Sequence, residues 1–226
     1  MTTAMTTKTL DPRPTPMGLV LEAAESIPVN LESLARQLGI RLVRTPLDDS
    51  ICGCIERTAD GWRLIVNAEH SRSRQRFTIA HELGHFVLHA TALGDGTNDT
   101  RKYRATATVR TYNHTLDDRH EREANQFATS LLMPAAKVQQ FQQVMQADDP
   151  GYLAELFQVS RGAMKIRLEE LAEAEEETNE AFETIGVSTR TVASTGTFKD
   201  IYSIYEEKSK GNTNKDKSTN EEKEEN

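Results

Sequence analysis

The segment RFTIAHELGHFVLHATA contains two histidines that are four positions apart, His81 and His85. Apolar residues recur through it at helical spacing, and Ser71 or Ser73 can cap a helix that runs to about Ala90. Residues four apart on a helix lie on one face, so both imidazoles can meet a single Zn²⁺ at about 2.0–2.1 Å. The alternative interpretation is a buried helix whose histidines are hydrogen-bonded core residues.

A catalytic metal site also needs a base and a third protein ligand. Glu82 directly follows the first histidine and completes the H-E-x-x-H arrangement, in which the glutamate acts as general base. The metzincin extension would place glycine and histidine further along, where this chain has Leu88 and Thr91. His89 lies eight residues after His81, which is about 12 Å along a helix axis and too far for the same metal ion. The third ligand must therefore come from another segment.

The acid-rich segment LDDRHEREANQFATSLLMP, residues 116–134, predicts a second helix and is the better source of that ligand. Glu121 could ligate the metal, while Asn125, one turn later, could accept a hydrogen bond from a ligand imidazole. Glu123 points about 160° away from Glu121 on a helical wheel, so the two glutamates cannot both face the metal. The alternative is a solvated acidic face near a helix N-terminus, where acids are favoured.

The rest of the chain predicts an α+β fold, in which a small mixed β-sheet packs on the histidine-bearing helix and on further helices. Short β-branched segments between turn residues indicate strands, and apolar residues at helical spacing indicate helices. The polar stretch between the two central helices contains one further candidate strand. We therefore predict helices over 17–27, 30–39 and 135–146, a helix, a short turn and a second helix over 152–171, and strands at 40–45, 50–57, 61–67 and about 105–112.

Composition divides the chain into parts and excludes some classes of protein. The net charge of −8 gives no general attraction to nucleic acid or to an anionic membrane, and no apolar run is long enough to span a bilayer. The N-terminus lacks a signal-peptide core and two cysteines are too few for a disulfide framework, so we expect a cytoplasmic protein. The predicted parts are a disordered N-terminus (1–16), a zinc metallopeptidase domain (17–148), a helix-turn-helix-like extension (149–172) and an acidic, largely disordered tail (173–226).

Three ordered segments resemble the ImmA/IrrE family of bacterial metallo-endopeptidases: RQRFTIAHELGHFVLH, then EREANQFATSLLMP, then LAELFQVSRGAMKIRLEEL. The upstream segment IRLVRTPLDDSICGCIERTADGWRLIVNAEHSRSRQRF is also similar to that family, including a Val-Asn pair before Arg-Gln-Arg-Phe. The resemblance covers roughly residues 18–172. It implies a compact zincin-like fold with a helical C-terminal part.

The resemblance also implies roles for individual residues. His81 and His85 match the family's two histidine ligands of Zn²⁺, and Glu82 matches its catalytic glutamate. Glu121 matches the third ligand, with Glu123 as the alternative if the register of the segment differs. The donor that stabilises the oxyanion stays open among four residues of the intervening region and the next helix, namely Arg104, Tyr112, His114 and His120.

The resemblance implies a hydrolase that cuts peptide bonds in a specific protein partner. Family members commonly act on helix-turn-helix repressors, so we expect a role in transcription regulation, in stress response or in mobile-element control. The alternative is a non-enzymatic regulator that binds DNA or a repressor through residues 152–171, whose second helix carries Arg161, Lys165 and Arg167. The glutamates that follow would repel phosphates, which argues against direct nucleic-acid binding. No oligomeric state is predicted.

Overall fold

The fold is given by a computed structural model that describes residues 14–90, 93, 104–105, 117–145 and 149–184. Its first elements are α1 (Pro16–Ala24), α2 (Leu31–Gln37), β1 (Ile40–Thr45), β2 (Ile51–Thr58), β3 (Gly61–Asn67) and α3 (Arg72–His89). The elements that follow are β4 (Arg104–Ala105), α4 (Asp118–Leu132), α5 (Ala135–Met145), α6 (Pro150–Phe157) and α7 (Arg161–Thr184).

Several helices begin at residues whose side chains accept backbone hydrogen bonds. Asn30 caps α2, Ser71 caps α3 and Asp117 caps α4. These side chains satisfy N–H groups that have no partner within the first helical turn. Of the two serines considered for α3, Ser71 therefore holds the cap. After α2 the chain turns at Gly39, whose φ of +74° is one that L side chains rarely adopt.

Within the described residues, four strands form one mixed sheet in the order β1-β3-β2-β4. Strand β1 runs parallel to β3, while β2 is antiparallel to both β3 and β4. Helix α3 packs on this sheet at Gly53 of β2. A Cβ atom at Gly53 would lie 2.4 Å from the Ile65 carbonyl oxygen and 2.8 Å from Thr78 Cγ2. The sheet and α3 thus approach each other at a point where no side chain fits.

Helix α4 packs against α3 at a second glycine, Gly84 in the middle of HELGH. A Cβ atom there would lie 2.9 Å from Phe127 Cδ1 and 3.3 Å from Ala124 Cα. Phe127 and Ala124 are fully buried. The absence of a side chain at Gly84 therefore lets α4 lie close beside the histidine-bearing helix.

One buried amide side chain holds the connection between β3 and α3. Asn67 Nδ2 donates to the carbonyl oxygens of Leu47, Asp48 and Ile51 at 3.3, 3.1 and 2.9 Å. Its Oδ1 accepts from the backbone N–H groups of Leu47 and Glu69 at 3.2 and 3.0 Å. Because both ends of the amide are used, Asn67 ties the loop between β1 and β2 to the segment that leads into α3.

The predicted fold class, a small mixed sheet packed on the histidine-bearing helix with further helices, is confirmed. Helix α7 runs to Thr184, beyond the boundary predicted at 172. Of the candidate strand at 105–112, the structure describes the first residue, within β4, and the remainder lies outside the described residues, as do 1–13 and 185–226. Within the described ranges, none of the helices combines the length and the apolar character needed to cross a membrane.

Candidate metal centre

The two histidines of HELGH meet a glutamate from α4. His81 Nε2 lies 3.4 Å from one carboxylate oxygen of Glu121, and His85 Nε2 lies 3.3 Å from the other. The two Nε2 atoms are 2.9 Å apart. Ligands about 2.0–2.1 Å from a tetrahedral Zn²⁺ lie about 3.3–3.4 Å from one another. Two of the three separations match that spacing, so the donor set fits a tetrahedral metal ion.

Both imidazoles are buried, with 1% of His81 and 3% of His85 exposed, whereas the Glu121 side chain is 44% exposed. Burial alone would raise the pKa of the Glu121 carboxyl, but hydrogen bonds with His81 and His85 outweigh it and hold the pKa far below its ordinary value. Glu121 is therefore an ionised carboxylate that faces two nitrogen donors. Negative charge and nitrogen donors together are the ligand set that Zn²⁺ takes in hydrolytic sites.

The hydrogen bond predicted for Asn125 is present. Asn125 Oδ1 lies 3.0 Å from His81 Nδ1, one helical turn after Glu121. A carbonyl oxygen can only accept, so the proton of His81 belongs on Nδ1 and the lone pair on Nε2. This contact orients Nε2 of His81 towards Glu121 and the candidate metal position.

Glu82 is adjacent in sequence to His81, one member of the candidate metal-binding group. It follows His81 directly on α3 and is buried, with 5% of its surface exposed. A carboxylate held out of bulk solvent next to a metal ligand is the kind of group that accepts and returns a proton in hydrolysis.

Comparison with known proteins gives the family. The profile of a peptidase family described as the IrrE N-terminal-like domain matches residues 35–169, more than half of the 226-residue chain. The chain belongs to this family. A curated relative, named uncharacterized immunity region protein 2 of Bacillus phage phi105, is 29% identical over 112 residues. That match covers 50% of this chain and 63% of the phage protein, so the chain spans somewhat less than two thirds of its relative.

Membership in a peptidase family points to a metallopeptidase-type site, and this site has the donors that such chemistry needs. In the described part of the chain, His81, His85 and Glu121 form the group of histidine and carboxylate side chains that could hold a metal ion. Their ligand atoms all lie within 4.8 Å of one another. The predicted membership in this family is thereby confirmed.

The alternative third ligand, Glu123, faces a different partner. Its Oε2 lies 2.9 Å from His89 Nε2, and its Oε1 accepts from Arg119 Nε at 2.8 Å. The two glutamates point about 160° apart on the helical wheel, and of the two only Glu121 lies beside the histidine pair. Sequence reasoning left His89 without a role, but His89 Nδ1 lies 3.0 Å from His85 Nδ1.

Of the four candidates for the oxyanion donor, Tyr112 and His114 lie outside the described residues, and the structure gives only the backbone of Arg104. His120 forms a capping box with Asp117: the backbone N–H of Asp117 donates to His120 Nδ1 at 3.2 Å. The His120 ring also packs edge-on against the ring of His89, with centroids 4.7 Å apart. Capping and packing explain the position of His120, and its part in catalysis stays a prediction.

Residues outside the motif position α3, and sequence analysis missed them. Arg76 Nη2 donates to the Val29 carbonyl at 3.1 Å, and Arg76 Nε donates to the Gln158 carbonyl at 3.2 Å. Gln75 Nε2 donates to the His70 carbonyl at 2.7 Å. In the sequence, the Arg-Gln-Arg-Phe stretch carries a resemblance to the family but no individual roles for its residues. Its polar side chains directly precede the buried part of α3, and this pattern could have indicated that they anchor the start of the helix.

Proposed function

We propose that the protein is a zinc-dependent endopeptidase that hydrolyses peptide bonds in a specific protein partner. The observation that carries this proposal is the convergence of His81, His85 and Glu121, with Glu82 next to the first ligand. When bound, Zn²⁺ would supply a Lewis acid that polarises the scissile carbonyl and lowers the pKa of a water molecule towards about 7. The three ligands leave room for that chemistry because a catalytic zinc keeps one coordination position open.

In this proposal Glu82 moves the protons. Its carboxylate accepts a proton from the attacking water and then donates it to the nitrogen of the leaving amine. Asn125 holds the His81 ring with Nε2 facing Glu121, so it contributes to orientation. The buried setting of Glu82 and of both imidazoles keeps bulk water from competing with these contacts.

Two substitutions test the proposal. Glu82→Gln removes the base while keeping the size of the side chain, so we expect wild-type zinc content by elemental analysis and loss of peptide-bond cleavage. His81→Ala removes a ligand, so we expect loss of zinc and of cleavage together. Cleavage by Glu82→Gln at the wild-type rate would contradict the proton-transfer role, and full zinc content in His81→Ala would remove that residue as a ligand.

We propose a helix-turn-helix transcriptional repressor as the substrate, with roles in stress response or in mobile-element regulation in the cytoplasm. The resemblance to repressor-cleaving metallo-endopeptidases motivates this substrate, and the phage relative named for an immunity region supports a mobile-element setting. The test is incubation with a purified small helix-turn-helix repressor, chosen from the genes that neighbour this one if they encode such a protein. Cleavage that stops with EDTA and returns with Zn²⁺ supports the proposal, while an intact repressor under zinc-loaded conditions contradicts this choice of substrate.

Contacts on α7 favour the enzyme over the alternative of a DNA-binding regulator. Arg167 is buried and donates to the Met133 carbonyl at 3.2 Å. Arg161, the first residue of α7, lies 3.3 Å from a carboxylate oxygen of Asp149, the residue that caps α6. A helix that reads DNA needs its cations free for phosphates and base edges. These pairings argue against direct nucleic-acid binding by the helices at 152–171, and a protein partner for them is part of the proposal.

A further inference from the structure

Behind His85, on the side away from Glu121, a row of polar side chains leads from the metal-binding group to the surface. His85 Nδ1 lies 3.0 Å from His89 Nδ1, and His89 Nε2 lies 2.9 Å from Glu123 Oε2. The other oxygen of Glu123 accepts from Arg119 Nε at 2.8 Å. His89 is 2% exposed and the Glu123 side chain 16%, whereas the Arg119 side chain is 68% exposed. The row thus begins in the core and ends in solvent.

The chemistry of these groups allows one arrangement of protons when Nε2 of His85 binds a metal ion. A metal-bound Nε2 leaves the proton of the neutral ring on Nδ1, which then donates to Nδ1 of His89. His89 accepts at Nδ1, so its own proton lies on Nε2 and is donated to the Glu123 carboxylate. Glu123 can only accept, and it accepts from both His89 and Arg119. The imidazole N–H groups of His85 and His89 and the Nε–H of Arg119 therefore all have acceptors in the row.

We infer that His89 and Glu123 are positioning residues of the metal site, which hold His85 in the tautomer and ring orientation that present Nε2 to the metal. His85 is thereby the counterpart of His81, whose Nδ1 faces Asn125 Oδ1 at 3.0 Å. The two ligand imidazoles are supported by different means, an amide in one case and a histidine backed by a carboxylate in the other. This inference rests on the proposed zinc site.

Two variants of His89 distinguish the positioning role from a purely structural role, because the two roles predict opposite orders of zinc affinity. The His89 ring packs edge-on against His120, and it fills a buried position between α3 and α4. His89→Phe keeps an aromatic ring but has no acceptor for His85 Nδ1. His89→Asn loses the ring but places an amide oxygen close to where Nδ1 of the histidine lies. A packing role favours the phenylalanine, and a positioning role favours the asparagine.

The experiment measures the zinc affinity of the full-length protein by competition with a chromophoric chelator at fixed pH. We expect wild type to bind most tightly, His89→Asn to bind more weakly, and His89→Phe to bind about 10–100-fold more weakly than wild type. Equal affinities for the two variants, or tighter binding by His89→Phe, would overturn the inference. Absence of zinc binding by the wild type would instead refute the proposed function.

Two further variants keep the test independent of folding. Glu123→Gln retains an acceptor for His89 but removes the charge, and we expect zinc affinity between that of wild type and that of His89→Phe. Wild-type affinity in Glu123→Gln would count against the role of the carboxylate even if His89→Phe failed to fold. His70→Asn is the matched control: it replaces another buried histidine, one that contacts the Asp49 carbonyl oxygen at 3.1 Å, and should leave zinc affinity unchanged.

Discussion

Gly84 lies where the two helices that carry the candidate metal ligands meet, and we expect its replacement with alanine to perturb both stability and the site. The added Cβ would lie 2.9 Å from Phe127 Cδ1, 3.2 Å from Phe127 Cγ and 3.3 Å from Ala124 Cα. The phenylalanine ring is fully buried and has little room to turn, and the third atom belongs to the backbone of α4. Helix α4 must therefore move away from α3 by a few tenths of an ångström, on the scale of the missing contact distance.

The size of the effect follows from two opposing contributions. Overpacking a well-packed core costs about 1–3 kcal/mol, while alanine gains about 1 kcal/mol over glycine in a helix interior. We expect Gly84→Ala to lower the free energy of unfolding by up to about 2 kcal/mol. Glu121 lies one helical turn before Ala124, so the same displacement moves the carboxylate away from the histidines. We expect about a tenfold loss of zinc affinity, comparable to the loss of a hydrogen bond to a ligand.

Urea unfolding of the metal-free protein measures the first quantity, and chelator competition measures the second. The matched control is Gly162→Ala in the first turn of α7, where nothing lies within 4 Å of an added Cβ. This variant should be neutral or more stable by up to about 1 kcal/mol, with unchanged zinc affinity. If Gly84→Ala unfolds at the same urea concentration as Gly162→Ala and binds zinc like wild type, the packing argument is wrong.

Two further substitutions test how the site is supported. Asn67→Ala should lower the free energy of unfolding by about 2–3 kcal/mol in a urea titration, because three carbonyl oxygens lose their buried donor; an unchanged midpoint would show that water replaces the amide. Asp117→Ala should lower the melting temperature at neutral pH. The backbone N–H of His120 lowers the pKa of Asp117, so the stabilisation is present above about pH 4 and is lost as the pH falls through the lowered pKa. Melting curves of Asp117→Ala and wild type should therefore converge in acid, and a constant difference down to the lowest pH would contradict a role for the ionised cap.

Local periodicity predicted much of the candidate site. The i, i+4 spacing places His81 and His85 on one face of α3, and the angle between Glu121 and Glu123 on a helical wheel allows only one of them to face those histidines. Asn125 follows Glu121 by one turn, so its contact with His81 could be predicted from spacing as soon as the ligand helix was chosen. These features depend on the geometry of single helices, which the sequence determines closely.

What the sequence did not reveal depends on how two elements meet. A glycine inside a helix can simply destabilise it, or it can be needed for close packing. Gly84 is needed because Phe127 of α4 lies against it, and the spacing of apolar residues in the sequence does not show that contact. Asn67 has its effect because three carbonyls of a distant loop converge on it, which requires the sheet to be formed first. The roles of both residues therefore depend on contacts between segments that are far apart in the sequence.

His89 is excluded as a ligand by its distance from His81, but this exclusion says nothing about a role in positioning His85. An axial distance of about 12 Å from His81 excludes it as a ligand of the same metal, and the structure agrees because His89 contacts Glu123 instead. Yet the same spacing places His81, His85 and His89 on one helical face at successive turns, so His89 is the next neighbour of a ligand. The angle that turns Glu123 away from the metal also turns it towards His89. His89 is therefore too far from His81 to share a metal ion with it, yet it is close enough to His85 to orient that ring. With Glu123 behind it, His89 is suited to support His85 as a ligand in the proposed metal site.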